Sequence, residues 1–223
     1  ICNEIENKTV ELCHGQNDMK MGSGFPTGLS VNNIVAHDSA WCCDDTRRLK
    51  ENDVCKIDFG THVNGYIIDS AFTVAYNPKY EPLLKASQES MWGAIKLAGP
   101  DAPINDIAGE IKSIMESYEV EIDGHLYPVK PVWNLGGHNI KQYEIHGGQV
   151  ILNSPHSALN GSRMNEGEIY AIETFATTGK GQAAEDNGVV THYGINYMNP
   201  KWSKINIGNS RANKLLDYAK KRN

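Results

Sequence analysis

The stretch Lys56-Ile57-Asp58-Phe59-Gly60-Thr61-His62-Val63-Asn64-Gly65-Tyr66-Ile67-Ile68-Asp69-Ser70-Ala71-Phe72 decides how the chain folds. Two runs rich in apolar and β-branched residues flank an Asn-Gly pair, the strongest short-range signal for a β-hairpin. With Asn64 and Gly65 as the turn, Gly60 falls opposite Asp69, and Asp58 is one same-face step from Gly60. The two carboxylates then share a face as diagonal neighbours, roughly 7–8 Å apart at Cα. Gly60 leaves the space between them without a side chain of its own.

That placement is unfavourable unless something compensates it. Two carboxylates with oxygens about 5 Å apart repel by about 3 kcal/mol at an effective dielectric near 20. Ile57, Phe59, Ile68 and Phe72 suggest buried runs, where an unpaired carboxylate is costly. A divalent cation between the two removes both penalties. The plainer alternative is an exposed hairpin with both aspartates in water.

Further hard ligands occur downstream in equally unsuitable surroundings. Glu173 lies in the apolar run Ile169-Tyr170-Ala171-Ile172-Glu173-Thr174-Phe175. In a strand buried on both faces it must be protonated, ion-paired or metal-bound. His138 follows Gly136-Gly137, and glycines there allow a close backbone approach. Three carboxylates and one imidazole suit Mn, Co, Fe or Zn and disfavour a tetrahedral structural zinc site. Two aspartates so close together suggest a pair of cations. His146, after Ile145, reads equally as a site residue or as a core histidine. His14, His62, His125 and His156 read as structural or solvated, in turns or on exposed edges.

The rest of the chain frames this constellation. Its 223 residues, 40% hydrophobic and 22% charged, describe an ordinary globular protein. A net charge of −6 argues against a protein that neutralises nucleic-acid phosphate, and no apolar run is long enough to span a membrane. Five cysteines, including the adjacent Cys42-Cys43 but no C-x-x-C, suggest free thiols in a reducing cytosol. Ile1, Ile5, Val10 and Leu12 read as part of a first helix. A turn-rich loop is predicted over Gly22–Gly28, and a strand from Leu29 to Ala36 ending at His37. Helices are predicted from about Tyr80 to Ala98, with Leu84, Met91, Ile95 and Ala98 on one face, and around Ile104, Ile107, Ala108, Ile111, Ile114, Met115 and Tyr118. Asp123-Gly124 marks a second hairpin. Further strands are predicted at Tyr143–His146, Gln149–Leu152 and Ile169–Phe175. Helices mixed with hairpin-connected strands give an α+β class.

Together, several segments resemble the type 2 methionine aminopeptidases. They are Phe25-Pro26-Thr27-Gly28, Val31-Asn32-Asn33 through Ala36-His37, Lys56 through His62, Ile67-Ile68-Asp69, Met115 through Glu119, Gly137-His138, Ile145-His146 and Ala171 through Phe175. The resemblance covers nearly the whole chain. It implies the pita-bread α+β fold, a curved antiparallel sheet backed by helices around a dinuclear metal centre. It also implies removal of initiator methionine from the N-termini of nascent polypeptides in the cytoplasm, with the ribosome as a possible neighbour and no nucleic-acid or membrane site. By the same resemblance, Asp58, Asp69, His138 and Glu173 are metal ligands, with Asp69 bridging. His37 and His146 contact the substrate at the scissile bond, and Phe25, Ile145 and His192 line the methionine pocket. On the physical reading, Glu173 is also a proton shuttle, and His37 or His146 donates to the developing oxyanion or leaving amine.

The family's type 2 helical insertion would begin after His192-Tyr193, so the chain divides into a catalytic region, 1–194, and the start of the insertion, 195–223. A fifth ligand, a glutamate beyond that insertion, has no counterpart here, and the chain reads as part of a longer protein whose fold is incomplete at both ends. Taken alone it is expected to hold the second cation poorly and to have little peptidase activity. Gly136 stands where the family commonly has Asn, a departure expected to loosen the His138 loop. A non-catalytic pita-bread protein acting at the ribosome is the alternative of a different class, and a prolidase-like peptidase a third.

Overall fold

The Asn64-Gly65 turn forms with both residues at positive φ, 51° and 78°, the combination that matches the twist of paired strands. It joins β2 (Val54–Val63) to β3 (Tyr66–Ala75) with Gly60 opposite Asp69 and Asp58 opposite Ala71. This is the register read from the sequence. The computed structural model describes residues 1–40, 46–185, 191–193 and 204–222. Cys42-Cys43 and the division after residue 194 lie outside the described residues.

The glycine-rich segment before the hairpin is a strand rather than a loop. β1 (Met21–Val31) pairs with β2, giving the order β1-β2-β3. Its register shifts twice, between Ser23 and Phe25 and between Phe25 and Gly28. Pro26, which has no N–H to give a ladder, falls in the second irregularity. α1 (Cys2–Leu12) packs against β1.

β3 is covered on one face only: Ile67 is 6% exposed, whereas Ile68 and Phe72 are 65% and 52% exposed. The central strand β2 is buried on both faces, with Ile57, which pairs with Phe72, on one and His62, which pairs with Ile67, on the other. β3 is the edge of its sheet, and alternation puts Ile67 and Asp69 on the covered side and Ile68 and Phe72 on the other.

α2 (Glu81–Leu97) and α3 (Ile104–Glu116) pack together over the main core. α3 buries Ile104, Ile107, Ala108, Ile111 and Met115, five of the residues its periodicity assigns to the core face. α2 differs from its sequence pattern. It buries Ala86, Ser90, Gly93 and Ala94 and leaves Ile95 exposed. The reason is close approach: a Cβ at Gly93 would meet Ile114 Cδ1 at 2.4 Å, so small residues must line the contact.

β4 (Glu119–Ile122) and β5 (His125–Pro128) form the second hairpin. β6 (Lys130–Pro131), β7 (Gly136–Ile140), β8 (Val150–Leu152), β9 (Ile169–Ala171) and β10 (Ala176–Thr177) complete the sheets, with β7 central in β8-β7-β9 and β6 paired with β10. Three strand predictions change. The 29–36 run leaves the ladder after Val31, where Asn32 turns at a φ of 55°. Residues 143–146 form turns and a bridge rather than a strand, and the 169–175 run breaks after Ala171. α4 (Ser210–Arg222) follows. Val120, Val129, Ile151 and Met164 join α2 and α3 in one apolar cluster, an α+β packing of helices on antiparallel strands. Among the described residues, no helix is long and apolar enough to cross a membrane.

Candidate metal centre

Three chain segments converge where β3 meets the β8-β7-β9 sheet. Asp69 comes from β3, His138 from β7, and Glu173 from the break after β9, and one ligand atom of each lies within 4.8 Å of the others. His138 Nε2 is 3.0 Å from Glu173 Oε1 and 3.7 Å from Asp69 Oδ2. The imidazole is 6% exposed. Glu173 is only half-buried rather than enclosed on both faces as its apolar neighbours suggest.

Two glycines let β7 reach this point. A Cβ at Gly137 would lie 2.1 Å from the Ala171 carbonyl oxygen and 2.9 Å from Glu173 N. One at Gly136 would lie 1.9 Å from the Ile151 carbonyl oxygen, and Gly136 pairs with Leu152 in the ladder. Gly136 therefore sits in close-packed sheet, not in the loosened loop expected from its departure from the family pattern.

The ring's chemistry bears on what the cluster can hold. Nδ1 lies 3.2 Å from the Asn139 carbonyl oxygen. That oxygen only accepts, so Nδ1 carries the hydrogen, and in the neutral ring Nε2 points a bare lone pair at two carboxylates. Such an arrangement calls for a proton or a cation at Nε2. Burial favours the neutral ring, but the hydrogen bond and charge of Glu173, followed by the Asn139 carbonyl and Asp69, raise its pKa overall.

Asp58 lies outside the three-residue group, yet its charge acts on Asp69. Among the described residues its buried Oδ1 has no hydrogen-bond partner. Burial, then Glu173, push the Asp58 carboxyl up to about 6. Burial, Glu173 and Asp58 push Asp69 up to about 7. Crowded carboxylates, an orphaned buried oxygen and a lone pair aimed at acids fit one or more divalent cations, and the donor set is oxygen-rich with one nitrogen.

The space beside Gly60 is filled by Phe25. A Cβ on Gly60 would lie 2.2 Å from the Phe25 ring. Phe25 and Ile145 pack against Ile67, Ile140 and Ala171, forming an apolar wall next to the carboxylates. His146, though exposed, sets its ring 4.3 Å centroid to centroid from that of His138, edge to face. Desolvation, then His138, then His37 lower its pKa, opposed by Glu173. His37, at a left-handed φ of 60°, stacks on His192 with centroids 5.5 Å apart. Burial and then His37 lower the pKa of His192.

His62 is structural and buried rather than solvated: its Nδ1 accepts the Gly65 N–H at 3.1 Å, closing the hairpin turn. Sequence reasoning also missed two buried asparagines. Asn139 accepts the Gln149 N–H on its side chain and the Gly147 N–H on its carbonyl, anchoring the loop that carries His146. Asn153, directly after β8, is a fully buried amide following the apolar run Val150-Ile151-Leu152.

Residues 1–207 match the model of metallopeptidase family M24. The chain belongs to metallopeptidase family M24. Among curated relatives, this M24 chain is 46% identical to methionine aminopeptidase 2A of Arabidopsis thaliana, over 88% of its own length and 44% of the relative's. It is 43% identical to methionine aminopeptidase 2 of Podospora anserina, over 99% and 49%. The M24 chain thus spans about half the length of the curated relatives it matches. Among solved structures it superposes on methionine aminopeptidase from Rickettsia prowazekii with a TM-score of 0.60 at 22% identity, covering 73% of this chain and 60% of that one. A thermophilic Arx1 gives 0.59 at 16%, covering 81% and 55%. These likenesses identify the pita-bread fold.

Proposed function

We propose that this M24 chain carries the metal-binding half of a type 2 methionine aminopeptidase, which hydrolyses the N-terminal methionine from nascent polypeptides in the cytoplasm. The observation that carries the reading is the convergence of Asp69, His138 and Glu173 within 4.8 Å beside the orphaned Oδ1 of Asp58. In this reading Asp58, Asp69, His138 and Glu173 hold two divalent cations of the Mn, Co, Fe or Zn class. When bound, such cations acidify a water and polarise a carbonyl.

The chain's own residues supply the rest. Phe25 and Ile145 form an apolar slot suited to methionine's flexible thioether, with His192 lining the same pocket. His146 is held neutral and presents an N–H toward a developing oxyanion, with His37 next to it. Glu173 takes and returns a proton between water and leaving amine. Residues 1–194 form the catalytic region and 195–223 open the helical insertion. The relatives' names support the substrate class.

The test is release of free methionine from a Met-Ala-Ser peptide by protein loaded with Co²⁺ or Mn²⁺, beside an Ala-Pro dipeptide control. Methionine release lost in Asp69→Ala supports the reading. Cleavage of Ala-Pro alone would replace it with a prolidase-like activity. Tight metal uptake with neither product would match the little activity expected of this chain taken alone, and sedimentation with ribosomes would then decide whether a translational role replaces the peptidase reading.

A further inference from the structure

Glu173 has to aim its carboxylate at His138 from a segment that belongs to no strand, because β9 ends at Ala171 and β10 begins at Ala176. Its direction is therefore set by whatever grips the backbone on either side. We infer that Asn153, with Ser87 behind it, is the positioning element that fixes Glu173 in the metal centre. This inference rests on the reading of Glu173 as a ligand.

The Asn153 side chain acts as a substitute strand partner. Its Nδ2 donates to the Glu173 carbonyl oxygen at 2.7 Å, and its Oδ1 accepts the Phe175 N–H. One planar amide thus spans Thr174 and satisfies the donor and acceptor that a neighbouring strand would otherwise have taken. Asn153 is fully buried, and its backbone N–H donates to the Leu135 carbonyl at 2.9 Å, which ties its main chain to the segment entering β7. From the opposite side, α2 grips the intervening residue. Ser87 Oγ donates to the Thr174 carbonyl at 2.7 Å, and Thr174 Oγ1 donates to the Ser87 carbonyl at 2.8 Å. A third constraint comes from β7, whose Gly137 lies so close that a Cβ would stand 2.9 Å from Glu173 N.

The peptide groups of Glu173, Thr174 and Phe175 are thereby fixed from three elements. A fully buried polar amide directly after an apolar strand must find partners, since burying it unpaired is costly. Here the partners are the backbone groups on both flanks of Thr174, next to the carboxylate that meets His138. Outer partners that orient a metal-ligating side chain typically control affinity by 10–100-fold.

The experiment measures Co²⁺ affinity by calorimetry, the visible spectrum of the Co²⁺-loaded protein, and the metal-free melting temperature. It compares wild type, Asn153→Asp, Ser87→Ala, Glu173→Gln and Ile107→Val. Asn153→Asp places a second acceptor against the Glu173 carbonyl. It is expected to weaken Co²⁺ about 10–100-fold and to alter the spectrum. Ile107→Val, a core change far from the metal ligands in sequence, is expected to lower the melting temperature with affinity and spectrum unchanged. Ser87→Ala is expected to weaken Co²⁺ in the same sense by a smaller factor, and it carries the test alone should Asn153→Asp not fold. Wild-type affinity and spectrum in a folded Asn153→Asp, or in Ser87→Ala if that variant stands alone, would overturn the positioning role while leaving Glu173 a ligand. If Glu173→Gln binds Co²⁺ as wild type does, or wild type binds none, the ligand reading fails and the positioning role falls with it.

Discussion

His138 Nε2 stands 3.0 Å from Glu173 Oε1, while Nδ1 of the same ring is engaged by the Asn139 carbonyl. The imidazole has one nitrogen left for chemistry, and it faces acids. Replacing either member of the pair should therefore remove cation binding rather than trim it. His138→Ala and Glu173→Gln are each expected to weaken Co²⁺ or Mn²⁺ by more than the ~100-fold typical of losing an outer partner. Titration calorimetry on metal-stripped protein checks this.

Stability without metal should fall as pH rises. Asp58 and Asp69 have folded-state values of about 6 and about 7, above the ordinary 3.8, so the fold favours their protonated forms. His138 is shifted in the same direction, so its charged form is favoured as well. For each group the stabilisation is complete below the unfolded-state pKa and disappears as pH climbs through the folded one. Metal-free protein is expected to melt several degrees lower at pH 8 than at pH 5, given about 2–4 °C per kcal/mol for a chain of this size. Saturating Mn²⁺ should reverse that trend, because the cation takes the deprotonated carboxylates. Differential scanning calorimetry across the range, with chelator and with metal, reads the sign directly.

Gly60→Ala tests the wall between the aspartates. The added methyl group would collide with the Phe25 ring at 2.2 Å, and overpacking of this kind costs about 1–3 kcal/mol. Pairing it with Phe25→Leu should restore part of the loss, which a double-mutant cycle in urea would detect.

Tyr143→Ala tests the anchor of the His146 loop. The Tyr143 ring covers Gly65, where a Cβ would lie 2.5 Å away, and its hydroxyl donates to the Met19 carbonyl at 2.9 Å. Its N–H donates to the Gly65 carbonyl at 2.8 Å, and Gln142 reaches the Asn64 carbonyl. Losing the ring frees the loop while the Asp69–His138–Glu173 group stays. Metal affinity should stay within about threefold, and KM for a methionyl peptide should rise about tenfold, a change of about 1.4 kcal/mol. Steady-state kinetics on loaded protein separates the two.

What could be read beforehand follows from which interactions are local. The Asn64-Gly65 turn dictates its own register, and alternation then places Asp58 and Asp69 on one face without any knowledge of the remaining chain. The α3 stripe was legible for the same reason. β1 was not, because its glycines and Pro26 carry a loop composition, and only pairing with β2 through two irregularities makes the segment a strand. The exposure of Ile68 and Phe72 follows from β3 being an edge, a property of assembly rather than of composition. The α2 face was misread because the close approach of Ile114 at Gly93 selects small side chains over large ones. In the site, acids in apolar runs gave a usable signal. The amides of Asn139 and Asn153 gave little, since a single buried Asn looks the same in sequence whether it supports a ligand or caps a turn.

The hairpin bearing Asp58 and Asp69 closes on itself within a few residues, but His138 and Glu173 enter only after much more of the chain has been made, Glu173 more than a hundred residues beyond Asp69. A cation bound by all of these residues can thus be captured only once the two distant sheets have docked. Time-resolved cobalt uptake during refolding would then be a clock for that last docking event, lagging behind hairpin formation measured by any local probe.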